Sequence, residues 1–279
     1  MKVYDVKGGA GLRLHVREWG EENAPSILFI HGWSQSHLCW QRQYESELAD
    51  AFRLVALDLR GHGMSEAPLE AENYTQPRLW ADDIAAVIEQ LDLDRPVLVA
   101  WSYGGFVVGD YLRAYGTGQI AGINFVGAVV TLNKEALGTL IGPGFVDNVV
   151  GATSDDLPTN IEAIRRFLRA NTSTPLPADV FETALGWNMA VSAKVRAALV
   201  AREIDSDDVL AALTVPVLVS HGHKDQIILP VMGEHIVATC PHAIPSWYPD
   251  IGHMTFVEEA DRFNSELMQF AQDAQERQP

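Results

Sequence analysis

Ser102 stands where an apolar run, Val97–Trp101, gives way to a glycine-rich helical pattern, in Ala100-Trp101-Ser102-Tyr103-Gly104-Gly105. A serine in a tight strand-to-helix turn needs small residues two positions to either side, because larger ones collide across the turn. Ala100 and Gly104 fill those positions. Such a turn exposes the hydroxyl and leaves the Tyr103 N–H at the amino end of a helix, where negative charge is favoured. A lone serine at this junction would read as a helix cap; the small neighbours favour a nucleophile. His253, in Asp250-Ile251-Gly252-His253-Met254, and Asp225, in His221-Gly222-His223-Lys224-Asp225, each follow an expected strand. The order Ser102, Asp225, His253, each just past a strand, gathers nucleophile, acid and base at one edge of a parallel sheet. His31-Gly32-Trp33 follows another strand, and its glycine lets the chain bend so that the Trp33 N–H faces the same place. Paired with the Tyr103 N–H it would form an oxyanion hole, worth ~3–4 kcal/mol per donor in acyl transfer.

The elements that must position these residues alternate. Leu12–Glu18, Ser26–Ile30, Arg53–Leu57 and Val97–Trp101 read as strands. Gln76–Leu91 and Tyr103–Tyr115 read as helices, the first with apolar residues on one face. This is an α/β pattern of mostly parallel strands with helices on both faces. Gly122–Leu132 reads as a further buried strand, and the next is Val215–Ser220. The ~80 residues between exceed the dozen or so a crossover needs. Thr159–Ala170, Ala178–Trp187 and Met189–Glu203 read as helices there, so 134–208 is expected to be an inserted helical lid. The core is then 1–133 and 209–279, with Ala243–Tyr248 as last strand and Phe256–Asp273 as last helix.

His31-Gly32-Trp33, the run Asp58-Leu59-Arg60-Gly61-His62-Gly63-Met64-Ser65, the Ser102 turn, Asp225 and Gly252-His253 resemble, in order, the pattern of α/β-hydrolase-fold enzymes. The sequence is most similar to the lidded esterase and cofactor-free haloperoxidase-like branch. The resemblance implies an eight-stranded, mostly parallel sheet and a Ser102–His253–Asp225 triad. Ala100 stands where the family usually has glycine and is small enough to keep the turn. Asp58–Ser65 reads as a structural turn held by Arg60 and His62. In some members the acid follows the strand before the lid; here Asn133 stands there and cannot supply the charge, which favours Asp225.

Related folds that displace at carbon use an aspartate nucleophile, whose ester water can cleave; a serine doing so would leave a stable ether. Ser102 therefore points to acyl chemistry on a small-molecule ester, thioester, amide or lactone, without a cofactor. Peracid formation, as in perhydrolases and haloperoxidases, is an alternative. Trp101, Phe106, Phe145, Trp187 and Met189, with Trp33 and Tyr103, are candidate pocket residues, each also readable as core packing. Carbon–carbon cleavage or lyase chemistry on the same triad is a second alternative, weighed against by Trp33-Ser34-Gln35-Ser36 after the first His-Gly. A receptor that keeps the pocket without turnover is a third, and all three triad residues are present. His221-x-His223-x-Asp225 has the spacing of a metal-binding loop, but Gln226 stands where that pattern continues with histidine. No metal site is expected.

With 37 acidic and 20 basic side chains the formal charge is −17, which repels nucleic acid and anionic membrane surfaces. Met1-Lys2-Val3-Tyr4-Asp5 lacks the apolar stretch of a signal peptide, and the uncharged run 114–133 holds too many glycines and polar residues for a membrane helix. Two cysteines, Cys39 and Cys240, make no disulfide framework and suit the cytoplasm.

Overall fold

The computed structural model describes residues 1–132 and 139–277. These form ten strands: β1 (Lys2–Lys7), β2 (Arg13–Trp19), β3 (Ser26–Ile30), β4 (Arg53–Leu57), β5 (Val97–Trp101), β6 (Gly122–Val126), β7 (Thr131–Leu132), β8 (Ile204–Asp205), β9 (Val217–Gly222) and β10 (Ala243–Tyr248). Eight build one sheet in the order β1-β2-β4-β3-β5-β6-β9-β10, while β7 and β8 pair separately. β2 runs against both its neighbours, and every pairing from β4 to β10 is parallel. The fold is that of an α/β hydrolase.

Strand alternation divides the core. Leu28 and Ile30 of β3, with Leu98 and Ala100 of β5, face the helices Pro77–Gln90 and Gly104–Tyr115. Ile27, Phe29, Val97, Val99 and Trp101 face the opposite way, onto Trp40, Phe256 and the helix Ala260–Glu276. β4 lies on one side of β3 and β5 on the other, so the strand order reverses between β3 and β5. A crevice opens at their carboxyl ends, and Ile30 pairs with Ala100 at its floor.

Three expected elements are divided in the structure. The strand expected over Gly122–Leu132 ends at Val126, because Gly127 turns the chain at φ 46°; Thr131–Leu132 pairs instead with Ile204–Asp205. The helix expected over Met189–Glu203 becomes Ala193–Val200, started by the Ser192 hydroxyl accepting from the Val195 N–H at 3.2 Å. The last helix breaks at Glu259 into Thr255–Glu258 and Ala260–Glu276. Sequence reading missed the edge strand β1 and the helices Pro143–Ala152 and Pro230–Thr239, though each helix opens on a proline, a start signal.

Between β7 and β8 the described residues form the helices Pro143–Ala152, Leu157–Ala170, Ala178–Ala190 and Ala193–Val200. Their buried Ile164, Phe167, Val191, Val195 and Leu199 belong to the same apolar cluster as β3 and β5. Among the described residues these helices therefore share the sheet's core. The boundary expected at 133/134, and with it Asn133, lies outside the described residues.

The Asp58–Ser65 turn is anchored from within. Arg60 is fully buried and donates to both oxygens of Asp83 at 2.7 Å, and to the carbonyls of Gly9, Asn73 and Leu79. Arg60→Met strands the buried Asp83 carboxylate and should cost about 3–5 kcal/mol in urea unfolding. A loss under 1 kcal/mol would show that the pair does not hold the turn.

Candidate active site

Ser102 directly follows β5 with φ 54°, a left-handed conformation that a serine adopts only where its surroundings compel it. Its N–H donates to the Val126 carbonyl at 3.0 Å, and its carbonyl accepts from the Gly105 and Val129 N–H groups at 2.9 and 3.0 Å. The turn packs directly on β3, since a Cβ at Gly104 would lie 2.6 Å from the Ile30 carbonyl oxygen. Ala100 is buried without displacing the turn. Gly32 sits on the other flank, where a Cβ would come within 3.0 Å of the Ser102 Cβ. Neither the Trp33 N–H nor the Tyr103 N–H donates to a protein acceptor among the described residues. Two main-chain donors, one following Ser102 in the chain and one following Gly32, are thus unspent among the described residues.

His253 and Asp225 meet directly. His253 Nδ1 lies 2.6 Å from Asp225 Oδ2, both residues being buried, while His253 Nε2 is buried with no partner among the described residues. Asp225 Oδ1 accepts from the Ile227 and Ile228 N–H groups at 2.8 and 2.9 Å. Burial pushes this carboxyl up, but the facing His253 and the donors of His221 and His253 outweigh it and hold it down at about 2. Asp225 is therefore ionised and orients His253 from Nδ1, leaving Nε2 for a proton. The Trp101 ring, next to Ser102, lies 5.4 Å from the His253 ring, and its Nε1–H donates to the His253 carbonyl at 3.1 Å. The fold so brings Ser102, Asp225 and His253 to one edge of the sheet.

The chain matches the Alpha/beta hydrolase family over residues 27–266. It belongs to that family. A solved esterase from Rhodococcus sp. ECU1013 is similar with a TM-score of 0.92, at 35% identity, over 98% of this chain and 99% of its own. By sequence it is similar to a bifunctional esterase/perhydrolase of Acinetobacter calcoaceticus, at 27% identity over 93% of this chain and 96% of that one. A non-heme haloperoxidase of Rhodococcus erythropolis is 29% identical over 95% and 98%. The protein is an α/β-fold hydrolase of the esterase and haloperoxidase-like kind.

Next to Ser102 the hydrolase has an apolar cavity of about 40 Å³. Trp33, Tyr103, Phe106 and Phe145, all expected there, line it. Phe167, Leu199, Val200, Ile227 and Ile228 line it too and were missed. The Ile227-Ile228 pair directly after the acid was a legible sign of an apolar wall. Three expected pocket residues stand elsewhere. Trp101 alternates onto the other face of β5, with Val97 and Val99. Ala184 and Asn188 carry the buried face of their helix, and this turns Trp187 and Met189 to its flanks. Trp187 donates from Nε1 to Gln35 Oε1 at 2.8 Å and borders an open groove along Leu38–Arg42.

The helices between β7 and β8 and the turns joining them are tied to the loops that carry Asp225 and His253. Gly142 and Gly144 donate to the carbonyls of Ile227 and Gln226 at 2.8 Å, and the His253 N–H donates to Asn171 at 2.8 Å. The Glu258 carboxylate accepts from Gly252 in the histidine loop and from Ser173 and Thr174 in the insertion. Sequence reading gave Glu258 no role. His31 and His62 brace the Trp33 loop: His31 bridges the Gly32 carbonyl and the Leu59 N–H, and His62 bridges the Arg60 carbonyl and the Ser34 N–H. Burial lowers His31 to about 4 and His62 to about 3, so both are neutral. Among the described residues His15, His37 and Asp58 bring ligand-type atoms within 4.8 Å of one another. Asp58 is already engaged there by the His37 N–H, His37 Nδ1 and the Met64 N–H, as the anchor of the turn. His223 is exposed against Trp247 and shares no contact with Asp225.

Gly127 lies under the acid–base pair, where a Cβ would come 2.9 Å from His253 Nδ1. Gly127→Ala should lower kcat by about 100-fold through displaced His253 and cost about 1–3 kcal/mol for the left-handed backbone. Steady-state kinetics on the folded variant test this, and a wild-type kcat would contradict the contact. A second expectation concerns pH. The unfolded chain protonates its histidines near 6.5 while folded His31 and His62 stay neutral, so the unfolded state binds more protons below that pH. Stability should fall as pH drops from about 6.5 towards 4, by up to about 1.4 kcal/mol per histidine per pH unit. Urea unfolding that is flat between pH 7 and 5 would show that these rings are not held neutral.

Proposed function

We propose that the protein hydrolyses small-molecule carboxylic esters with apolar acyl groups through an acyl-enzyme on Ser102. The observation that carries this reading is His253: Nδ1 is held by an ionised carboxylate, while Nε2 is buried and has no partner among the described residues, at the sheet edge that also carries Ser102 in its left-handed turn. In the proposed cycle His253 Nε2 takes the Ser102 proton as the oxygen attacks the ester carbonyl. Asp225 stabilises the imidazolium, and the Trp33 and Tyr103 N–H groups receive the oxyanion. The alcohol departs with the proton from Nε2; water then attacks the acyl-enzyme by the same steps in reverse order of proton transfer. The apolar cavity would take the acyl group, and the helices of residues 143–200 would act as its lid. The Rhodococcus esterase at 35% identity supports ester chemistry.

Interception of the acyl-enzyme by hydrogen peroxide instead of water would release a peracid. The Acinetobacter relative described as an esterase/perhydrolase favours this as a second reading.

A fluorophosphonate should add one adduct to Ser102, absent from Ser102→Ala and indifferent to chelator. Asp225→Asn should lower ester turnover by about 10⁴-fold in a folded protein, since histidine would lose its tautomer and its charge partner. An unlabelled serine in a protein that cleaves p-nitrophenyl esters would falsify the assignment. Acetyl and propionyl esters should be preferred over octanoyl, and Phe145→Ala should move that preference towards longer chains. An unmoved chain-length profile would remove Phe145 from the acyl pocket.

A further inference from the structure

His221, at the end of β9, is fully buried, and the proposed reaction does not use it. Its Nε2 lies 2.9 Å from the Ile228 carbonyl oxygen and 3.3 Å from Asp225 Oδ2, the oxygen that also meets His253. A ring nitrogen that faces two acceptors carries the hydrogen. The other nitrogen, Nδ1, has no partner among the described residues and packs on Gly233, where a Cβ would come within 2.7 Å. Asp225 thus stands between two imidazoles, one presented to the serine and one turned into the core.

We propose that His221 is a positioning residue for the acid, a role that rests on the Ser102 acyl-enzyme reading above. Asp225 Oδ1 is fixed by two main-chain N–H groups within its own loop. Among the described residues, the polar side-chain atom that meets Oδ2 besides His253 is His221 Nε2, at 3.3 Å. That contact limits rotation of the carboxylate about its Cβ–Cγ axis. The hydrogen on Nε2 bonds the Ile228 carbonyl, which holds the ring beside the acid and closes the loop that carries the cavity wall. The His221 Nε2–H, with Nε2 3.3 Å from Oδ2, draws charge towards itself from the oxygen facing His253. The other ionisable groups near this ring are remote or exposed. His223 lies across Trp247, and Lys224 pairs with Asp250 at 2.8 Å in solvent.

The side-chain geometry gives a selective test. Glutamine places an amide N–H as many bonds from the backbone as Nε2, whereas asparagine places one at the Nδ1 position, against Gly233. His221→Leu should lower kcat by about 10- to 100-fold, the range lost when an outer hydrogen-bond partner of an ordered site is removed. Its KM should change less than its kcat, because Ile227 and Ile228 keep their main-chain bonds to Asp225 Oδ1. The acid limb of its kcat/KM profile should move to higher pH, since the carboxylate charge is then concentrated on His253. His221→Gln should recover most of the rate and return the limb, and His221→Asn should do neither. A merely structural role would lower the active fraction and leave the limb where it is. Wild-type kcat and limb in His221→Leu, or equal behaviour of the glutamine and asparagine variants, would overturn the proposal. Should the leucine variant not fold, the glutamine–asparagine pair decides. Nitrogen-15 histidine spectra of the wild-type protein give an independent reading, and a His221 ring without a hydrogen on Nε2 overturns it. Fluorophosphonate labelling of wild-type Ser102, run alongside, separates failure of this inference from failure of the acyl-enzyme reading.

Discussion

The left-handed backbone of Ser102 is the constraint on which the rest of the site depends. At φ 54° the serine is unfavourable in isolation, and its neighbours supply what holds it. Three main-chain hydrogen bonds tie it to Val126, Gly105 and Val129, all beyond its own strand. The absence of side chains at Gly104 and Gly32 lets β3 and its following loop close on both flanks. Each requirement propagates outward. β5 must lie between β3 and β6, the helix must begin at once after Tyr103, and Val126 must end β6 so that Gly127 can turn beneath His253. The strand order that meets these conditions also places the reversal between β3 and β5, where the two unspent N–H groups emerge.

The charge balance of the molecule follows a similar logic. The net charge is −17, and each buried carboxylate among the described residues is matched by an arginine or a histidine. Glu18, Asp83 and Asp110 are buried against Arg53, Arg60 and Arg202, with oxygen–nitrogen distances of 2.7, 2.7 and 2.5 Å. Arg202 also donates to the Tyr103 hydroxyl, which fixes the residue that carries one of the unspent N–H groups. Arg196, buried under the Trp33 loop, has no carboxylate partner among the described residues and donates to the Asn160 side-chain oxygen Oδ1 at 2.8 Å. Burial lowers it to about 10, still well above neutrality. Asp225 is the acid in direct contact with His253, and its charge is spread over two imidazoles and two main-chain donors.

What the sequence disclosed depended on whether a local rule governed the position. Residues just past strands could be located because strand period and turn chemistry are local; Arg53–Leu57, Val97–Trp101 and Ala243–Tyr248 fall where the pattern puts them. The same period should have removed Trp101 from the pocket, for it alternates with Val97 and Val99 and not with Ala100. Phe106 and Phe145 were found and Phe167 was not, since an apolar residue on an amphipathic helix looks the same whether it lines a void or fills a core. Glu258 was invisible for a different reason: its partners are Gly252, Ser173 and Thr174, and only packing brings the last two to it. His221 stood out in the sequence for its spacing to His223 and Asp225 and as part of the turn before the acid, but its contacts with Asp225 and Ile228 depend on how that loop folds back.

The cavity sets the terms for any substrate. About 40 Å³ beside Ser102 holds a few water molecules and little more. An acyl group of appreciable length must displace wall side chains, and the wall is not uniform in what it resists. Phe106 lies on the helix behind Ser102, and Ile227 and Ile228 are fixed by the hydrogen bonds of the Asp225 loop. Phe145 and Phe167 instead belong to the insertion and meet Trp33 edge-on, with ring centroids 5.2 Å apart in each pair. Edge contacts between aromatic rings can open by rotation with less loss than breaking buried hydrogen bonds. The insertion is nevertheless pinned at Gly142, Gly144, Asn171 and Ser173 to the two loops that carry Asp225 and His253. Room for substrate can therefore open on the Phe145–Phe167 side with the acid and base loops in place, whereas a rigid-body swing of the whole insertion would disturb both.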